Sequence, residues 1–186
     1  MDHHMPRIVP IKPEDMDAAQ RRLYDNIISG PRGGMGGPFR AWMHSPIFGD
    51  RAQAVGEYCR FNSVLEPRLS ELAILITARQ WTAQFEWYAH APMAIKSGLS
   101  PKIIEAIQCR EVPQFSKTDE SAVYHFCTEL YLKSTVSDAT YEQAKQHLGE
   151  QGLVDLVGIL GYYAMVSMTL NVFETPLPDS VQPPLD

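Results

Sequence analysis

An acid and a base lie four residues apart in the most apolar part of the chain. Glu86 and His90 occur in the run Glu-Trp-Tyr-Ala-His, and this spacing places both side chains on one face of a helix. Either group is costly to bury unless it is paired. Such a pair can move protons near neutral pH, so it is the first candidate for a catalytic site. The alternative is a buried polar pair that only holds helices together.

Further candidate residues lie close to this pair in the sequence. Glu71 is either a third member of the site or a carboxylate that stabilises the first turn of its helix. A substrate carboxylate would need a cation, and Arg79 is the nearest one, followed by Arg40 and Arg51. Three more side chains could bind a substrate, although each could equally serve packing: Trp81, Phe85 and His44.

The sequence shows no clear motif for a metal or a cofactor. The acid–base pair could supply two metal ligands and Glu71 a third, but the second Glu-x-x-His motif of di-iron bundles is missing. Cys59, Cys109 and Cys127 are odd in number and widely spaced, which is typical of free cysteines. The glycine-rich residues 30–38 lack the ending of a phosphate loop and indicate a mobile connection or a lid. We therefore expect neither a metal nor a cofactor.

The segments that must position these residues read as helices. Nothing alternates with period two over a useful length, whereas apolar residues recur at helical spacing. We predict an all-α protein, a bundle of seven or eight helices. The predicted helices run from Pro13 to Gly30, from Pro46 to about Leu65, from Glu71 (capped by Ser70) to Arg79 or Gln80, from Thr82 as cap to Lys96, from Pro101 to about Cys109, from Thr118 to Leu132, from Ser137 to Leu148, and from Gly152 to Phe173. The third and fourth of these are either two helices or one kinked helix.

Length and composition indicate one globular domain. The 186 residues are 45% hydrophobic and 20% charged, with a net charge of -6. We predict a single domain over residues 1–186, with a helical core at about 10–174 and a proline-rich tail at 175–186 that is extended over the surface or disordered. The acidity argues against nucleic acid and against anionic membranes as partners.

The apolar segments bear on location and assembly. The longest apolar runs are too short and too interrupted to cross a bilayer, and the N-terminus lacks an apolar signal core, so we expect a cytoplasmic protein without membrane contact. The last helix is apolar and the chain has three tryptophans, which suggests more apolar surface than one chain buries. We therefore predict a homo-oligomer.

Three segments together resemble one known superfamily. They are residues 71–79, 83–90 and 94–100, with a weaker match at Gly37-Pro38-Phe39 and His44-Ser45-Pro46. The pattern is similar to the carboxymuconolactone decarboxylase superfamily, which also contains the alkylhydroperoxidase D-like proteins. The resemblance implies the helical alkylhydroperoxidase D-like fold, a trimer or hexamer, and a site at Glu71, Glu86 and His90.

The chain departs from the peroxidase branch of that superfamily. That branch has Cys-x-x-Cys before the histidine, and here Ala83 and Glu86 occupy those positions, so neither a peroxide-attacking thiolate nor a resolving thiol is present. The resemblance instead implies the cysteine-free, decarboxylase-like branch associated with aromatic degradation. It implies a lyase or isomerase that transfers a proton on an unsaturated carboxylic acid or lactone. The alternatives are a non-catalytic ligand-binding or assembly protein and, third, a peroxidase.

Overall fold

The computed structural model describes residues 7–32 and 34–186, and all regular structure within those ranges is helical, which confirms the all-α prediction. A turn of 3-10 helix at Pro13–Asp15 precedes the first α-helix, and a turn of π-helix at Tyr58–Asn62 follows the third. The α-helices are α1 (Ala18–Ser29), α2 (Phe39–Trp42), α3 (Pro46–Glu57), α4 (Pro67–Gln80), α5 (Gln84–Lys96), α6 (Pro101–Gln108), α7 (Thr118–Lys133) and α8 (Asp138–Val172).

The starts of α4 and α5 differ from those predicted. Pro67 takes the first position of α4, where its missing N–H costs nothing, and Ser70 is buried inside the helix instead of capping it. Thr82 has a φ of 46° and does not cap α5, which begins after Ala83. Glu71 consequently lies in the second turn of α4, so stabilisation of a first turn does not explain its presence.

The first helix also begins later than predicted. Pro13 belongs to the 3-10 turn, and α1 begins after Asp17. The side chain of Asp17 accepts hydrogen bonds from the backbone N–H groups of Ala19 and Gln20, and the Gln20 side chain accepts one from the backbone of Asp17. This reciprocal capping box satisfies donors at the helix start, which fixes the boundary there.

Buried apolar side chains form one cluster, and α4 runs through it. Every residue of α4 from Arg68 to Arg79 is buried, because α5, α7 and α8 cover the helix. A helix buried on all sides must satisfy its polar side chains inside the bundle. The Thr77 hydroxyl donates a hydrogen bond to the carbonyl oxygen of Ala73. The Glu71 carboxylate forms a hydrogen bond with a histidine of α5.

Helix α8 combines the last two predicted helices. Gly149 interrupts it with a φ of 67° and a ψ of -179°, which makes a kink between the two segments. Among the described residues, α8 is the one helix long and apolar enough to cross a membrane by length and composition, because one 18-residue window within it has a mean hydropathy of 1.6. This corrects the expectation that every apolar run is too short. Of that 18-residue window, 56% is buried inside the bundle, and the core helix of a soluble protein passes the same test.

The proline-rich tail is extended and folds back onto the bundle. Leu185 is buried, and its backbone N–H donates to the Gln84 side chain at 2.9 Å. Asp186 forms an ion pair with Arg79. The last residues of the tail thus cover the turn between α4 and α5.

Candidate active site

His90 lies between two buried carboxylates. Its Nδ1 is 2.7 Å from Oε2 of Glu71 on α4, and its Nε2 is 3.0 Å from Oε1 of Glu86, one turn earlier on α5. All three side chains are buried. The structure places Glu86 and Glu71, the two carboxylates named from the sequence, at the two ring nitrogens of His90.

A sharp turn between α4 and α5 makes this contact possible. Thr82 adopts a left-handed conformation with a φ of 46°, which is uncommon for a β-branched residue. Its hydroxyl accepts hydrogen bonds from Arg79 at 3.4 Å and from Arg110 at 3.2 Å, and these contacts hold the turn. Helix α5 therefore packs back along α4, and Glu71 faces His90.

The two carboxylates keep His90 charged. Burial is the largest single influence on its pKa and lowers it, but the charges of Glu86 and Glu71 and their hydrogen bonds to the ring together outweigh burial. The pKa of His90 rises from 6.5 to about 9. His90 is therefore an imidazolium at neutral pH, whose Nδ1–H donates to Glu71 and whose Nε2 forms an ion pair with Glu86.

Two tyrosines of α8 pack beside this group. The ring of Tyr163 meets His90 edge-on, with 5.1 Å between centroids, and Tyr162 meets Tyr163 at 5.2 Å. Burial raises the pKa of Tyr162 to about 12 and the pKa of Tyr163 well above its ordinary value. Both rings thus remain neutral phenols over the pH range in which His90 titrates.

A cavity of about 260 Å³ opens beside Glu86 and His90. This volume lies just below the usual range of ligand pockets, roughly 300–1,000 Å³, so the cavity suits only a small molecule. Aromatic rings, glycines and two arginines make up much of its lining. Besides the acid–base pair, the lining includes Arg32, Gly37, Phe39, Arg60, Phe85, Met93, Tyr162, Tyr163 and Val166.

The arginines in this cavity are not those nearest in the sequence. Arg79 does not line it; the side chain is buried on another face, where it pairs with Asp186. Arg40 and Arg51 are exposed and also lie outside the lining. The structure thus corrects the expectation that Arg79 faces the acid–base pair.

Of the three other residues predicted to bind substrate, one lines the cavity and two lie outside it. Phe85 lines the cavity, as the sequence suggested. Trp81 lies in the turn between α4 and α5, 39% exposed, and its carbonyl accepts a hydrogen bond from Asn171 at 2.7 Å. His44 is exposed, with Nε2 2.9 Å from the carbonyl oxygen of Val9. Neither Trp81 nor His44 is part of the cavity lining.

Arg32 and Arg60 were missed by sequence reasoning. Arg60 lies in the π-helical turn after α3, and such turns are rare and frequent at functional sites. Nothing in the local pattern indicates a π-helix. Arg32 lies inside the glycine-rich segment and lines the cavity. The hypothesis that this segment is a lid was the one indication from the sequence that Arg32 could lie at a pocket.

The comparisons with known proteins bear on the fold. Among solved structures, the chain is similar to a protein of unknown function from Agrobacterium tumefaciens, described as a candidate antioxidant defence protein AhpD. The TM-score is 0.67 at 19% sequence identity, over 79% of this chain and 100% of the other. This chain has an AhpD-like fold. Its sequence matches no protein-family model and no curated protein.

Within this AhpD-like fold, the cysteines lie away from the acid–base pair. Cys59 and Cys127 are buried, and burial raises the pKa of both thiols. Cys109 is exposed, and none of the three lines the cavity. In the described part of the chain, no group of three His, Cys, Asp or Glu side chains is arranged to hold a metal ion.

Proposed function

We propose that this protein is an enzyme that transfers a proton on a small unsaturated carboxylic acid or lactone, in an isomerisation or a decarboxylation. The position of Glu86 carries this proposal, because its side chain contacts His90 and also lines the cavity. A pair that served packing alone would need no open volume beside it. The AhpD-like fold is compatible with this chemistry but does not choose the reaction.

The three residues can pass a proton towards the cavity. Moving the Nε2 proton of His90 to Glu86 leaves a neutral imidazole and a carboxylic acid at the cavity. Nδ1 continues to donate to Glu71, which therefore acts as a positioning residue that fixes the tautomer. Glu86 is the residue that exchanges the proton with the substrate.

In an isomerisation, Glu86 acts first as a base. Its carboxylate takes a proton from a carbon next to the conjugated system, and the C–H electron pair enters that system as a dienolate. The same proton then returns from Glu86 to another carbon. Positioned acid–base catalysis of this kind contributes roughly 10²–10⁴-fold to the rate.

In a decarboxylation, Glu86 acts only as an acid. The C–C electron pair stays on the substrate as a dienolate when carbon dioxide leaves. Glu86, protonated by His90, then gives its proton to carbon, and the pair regains a proton from water. The two reactions use the same residues and differ in whether a C–H or a C–C bond breaks first.

A non-catalytic ligand-binding or assembly protein is the alternative function. Such a protein could keep Glu71, Glu86 and His90 for stability alone, because removing one partner from a buried group of charges is strongly destabilising. The cavity beside Glu86 argues against a role in assembly alone, and the turnover of Glu86→Gln separates an enzyme from a ligand-binding protein.

Cysteine-dependent peroxidase activity is not expected. Buried thiols with raised pKa values do not form thiolates near neutral pH, and the exposed Cys109 lies outside the cavity lining. A steady-state peroxidase assay with a dithiol reductant should read near background. Robust turnover that disappears when Cys59, Cys109 or Cys127 is replaced would contradict this expectation.

The proposed function is tested with Glu86→Gln and His90→Gln on a panel of unsaturated carboxylic acids and carboxylated lactones. Proton NMR in D₂O follows deuterium incorporation, and carbon dioxide release is measured in parallel. We expect wild type to act on at least one compound and both variants to lose roughly 10²–10⁴-fold in rate. Glu105→Gln changes an exposed carboxylate on α6 and should keep the full rate.

Melting temperatures separate catalysis from packing in the same variants. Inactive variants that remain folded would support the proposed function. If both variants melt far below wild type and their folded fraction is fully active, the pair serves packing. A panel on which wild type causes neither exchange nor carbon dioxide release would also contradict the proposal.

A further inference from the structure

Arg32 lines the cavity, and its guanidinium has unsatisfied hydrogen-bond donors. Its Nε and Nη2 atoms are buried and have no hydrogen-bond partner within residues 7–32 and 34–186. A guanidinium carries five N–H donors, and burying them without acceptors is costly. The carboxylate that lines the cavity, Glu86, is paired with His90. The arrangement points to an acceptor supplied by a ligand.

Aromatic rings hold the Arg32 guanidinium in place. Its Cζ lies 5.3 Å from the ring centroid of Phe39 and 5.8 Å from that of Phe61. Contact with ring faces stabilises the cation and does not use the in-plane N–H donors. Gly56 leaves the necessary space, because a Cβ there would be 2.6 Å from Nη2 of Arg32. The side chain therefore has a defined position before any ligand binds.

Two tyrosine rings separate Arg32 from the proton-transfer residues. The hydroxyl of Tyr162 and Nη2 of Arg32 both pack over Gly56. From there the contacts continue from Tyr162 to Tyr163, and from Tyr163 to His90, each with centroids about 5 Å apart. A ligand whose carboxylate binds Arg32 would extend along both rings before it reaches the proton-transfer residues.

The charges around the cavity suit a single negative charge on the ligand. Three side chains are cations at neutral pH, namely Arg32, Arg60 and His90, whose pKa is about 9. Two carboxylates, Glu71 and Glu86, oppose them. One positive charge remains, which a monocarboxylate would neutralise. A second carboxylate at the far end of the ligand would lie beside Glu86, where like charges repel.

Resting on the proposed function, we infer that the site binds a planar, unsaturated monocarboxylate, with its carboxylate on Arg32 and its far end at Glu86. The rings of Phe39, Tyr162 and Tyr163 supply flat apolar contacts for a conjugated chain. The carboxylate lies away from the reacting carbons and stays on the ligand. The reaction class is therefore a proton shift between carbons rather than loss of carbon dioxide.

Equilibrium binding tests this assignment without turnover. Isothermal titration calorimetry measures the Kd of sorbate, a planar dienoate, and of its neutral amide, sorbamide, for wild type, Arg32→Gln and Arg40→Gln. Arg40 is exposed on α2 and outside the cavity lining, which makes it a matched control. We expect Arg32→Gln to weaken sorbate binding at least about tenfold and Arg40→Gln to change it less than about twofold. Sorbamide should bind wild type and Arg32→Gln equally weakly.

Arg32→Lys keeps the charge but loses the planar fork, and we expect it to weaken sorbate binding about threefold or more. It replaces Arg32→Gln if thermal melting shows that the glutamine variant does not fold. An unchanged Kd in the folded Arg32 variant would overturn the inference. Three other results would also overturn it. Sorbamide could bind wild type as tightly as sorbate does, or Arg40→Gln could raise the Kd of sorbate as much as the Arg32 variant does. Wild type could also show no saturable binding of sorbate.

The two proposals at this site can fail separately. Suppose that Glu86→Gln loses turnover but substitution of Arg32 does not change the Kd of sorbate. This result would overturn the monocarboxylate assignment and leave the proposed function standing. An effect of Arg32 on the Kd, with no turnover of any compound, would overturn the proposed function and keep the carboxylate site.

Discussion

The charge of His90 is governed by its carboxylate neighbours, Glu71 and Glu86. Burial lowers its pKa, yet the two contacts raise it from 6.5 to about 9 in the folded protein. A group that binds its proton more tightly when folded makes stability depend on pH. The stabilisation is complete below pH 6.5 and is lost as the pH rises through about 9.

We expect this loss to be measurable by urea denaturation. Between pH 6.5 and 9, the contribution of His90 to the free energy of unfolding should fall by on the order of 3 kcal/mol. His90→Gln has no titrating ring, so the stability difference between wild type and this variant should shrink across that window. A difference that does not change with pH would show that His90 is not charged in the folded protein.

At the scale of the helices, the cavity depends on close packing between α3 and α8. A Cβ on Gly56 of α3 would lie 2.0 Å from the hydroxyl oxygen of Tyr162 on α8. Real Cβ contacts are never this short, so any larger residue must displace the ring. The absence of a side chain at position 56 therefore lets Tyr162 and Arg32 take their places at the cavity.

Gly56→Ala should lower the free energy of unfolding by about 1–3 kcal/mol, the usual cost of overpacking. Ala54→Ser changes an exposed residue two positions earlier on α3 and should have an effect below about 0.5 kcal/mol. Adding Tyr162→Leu, which removes the ring end, should make Gly56→Ala less destabilising than it is alone. Urea denaturation of wild type, Ala54→Ser, Gly56→Ala, Tyr162→Leu and the Gly56→Ala/Tyr162→Leu double variant measures all three effects. A Gly56→Ala protein as stable as wild type would contradict the contact.

At the scale of the whole molecule, α8 leaves an apolar stripe uncovered. Its exposed residues recur at helical spacing, with Val154 71%, Val157 50%, Met168 41% and Val172 54% accessible. Gly158 and Gly161 lie on the same face, and a Cβ on either would meet nothing within 4 Å. Contiguous apolar surface of this kind usually marks a contact between chains.

We therefore expect a homo-oligomer that uses this face of α8, with the trimer or hexamer implied by the resemblance. Val157→Glu should shift the mass measured by light scattering towards the monomer, because a charge is costly to bury at an interface. Gln146→Glu adds the same charge at an exposed position earlier on α8 and should leave the mass unchanged. A monomer mass for wild type at micromolar concentration would contradict the expectation.

The features that the sequence determined by itself are local ones. Helical periodicity and the pairing of Glu86 with His90 depend on residues within one or two turns, so the spacing along the chain already defines their geometry. That Glu71 belongs to the site was implied only by the resemblance to a known superfamily, because its contact with His90 joins two different helices. Boundaries were less certain, because Ser70 could cap a helix by type but is buried within α4 by its neighbours.

Only the tertiary structure decided which cations share the cavity with this pair. Arg79 is near in sequence, but its position on α4 directs it to the tail, whereas Arg32 and Arg60 come from a loop and a π-helical turn. Distance along the chain says nothing about distance in space once residues lie on different elements. The packing of those elements around α4 sets which faces meet, and so selects the arginines that a carboxylate would reach.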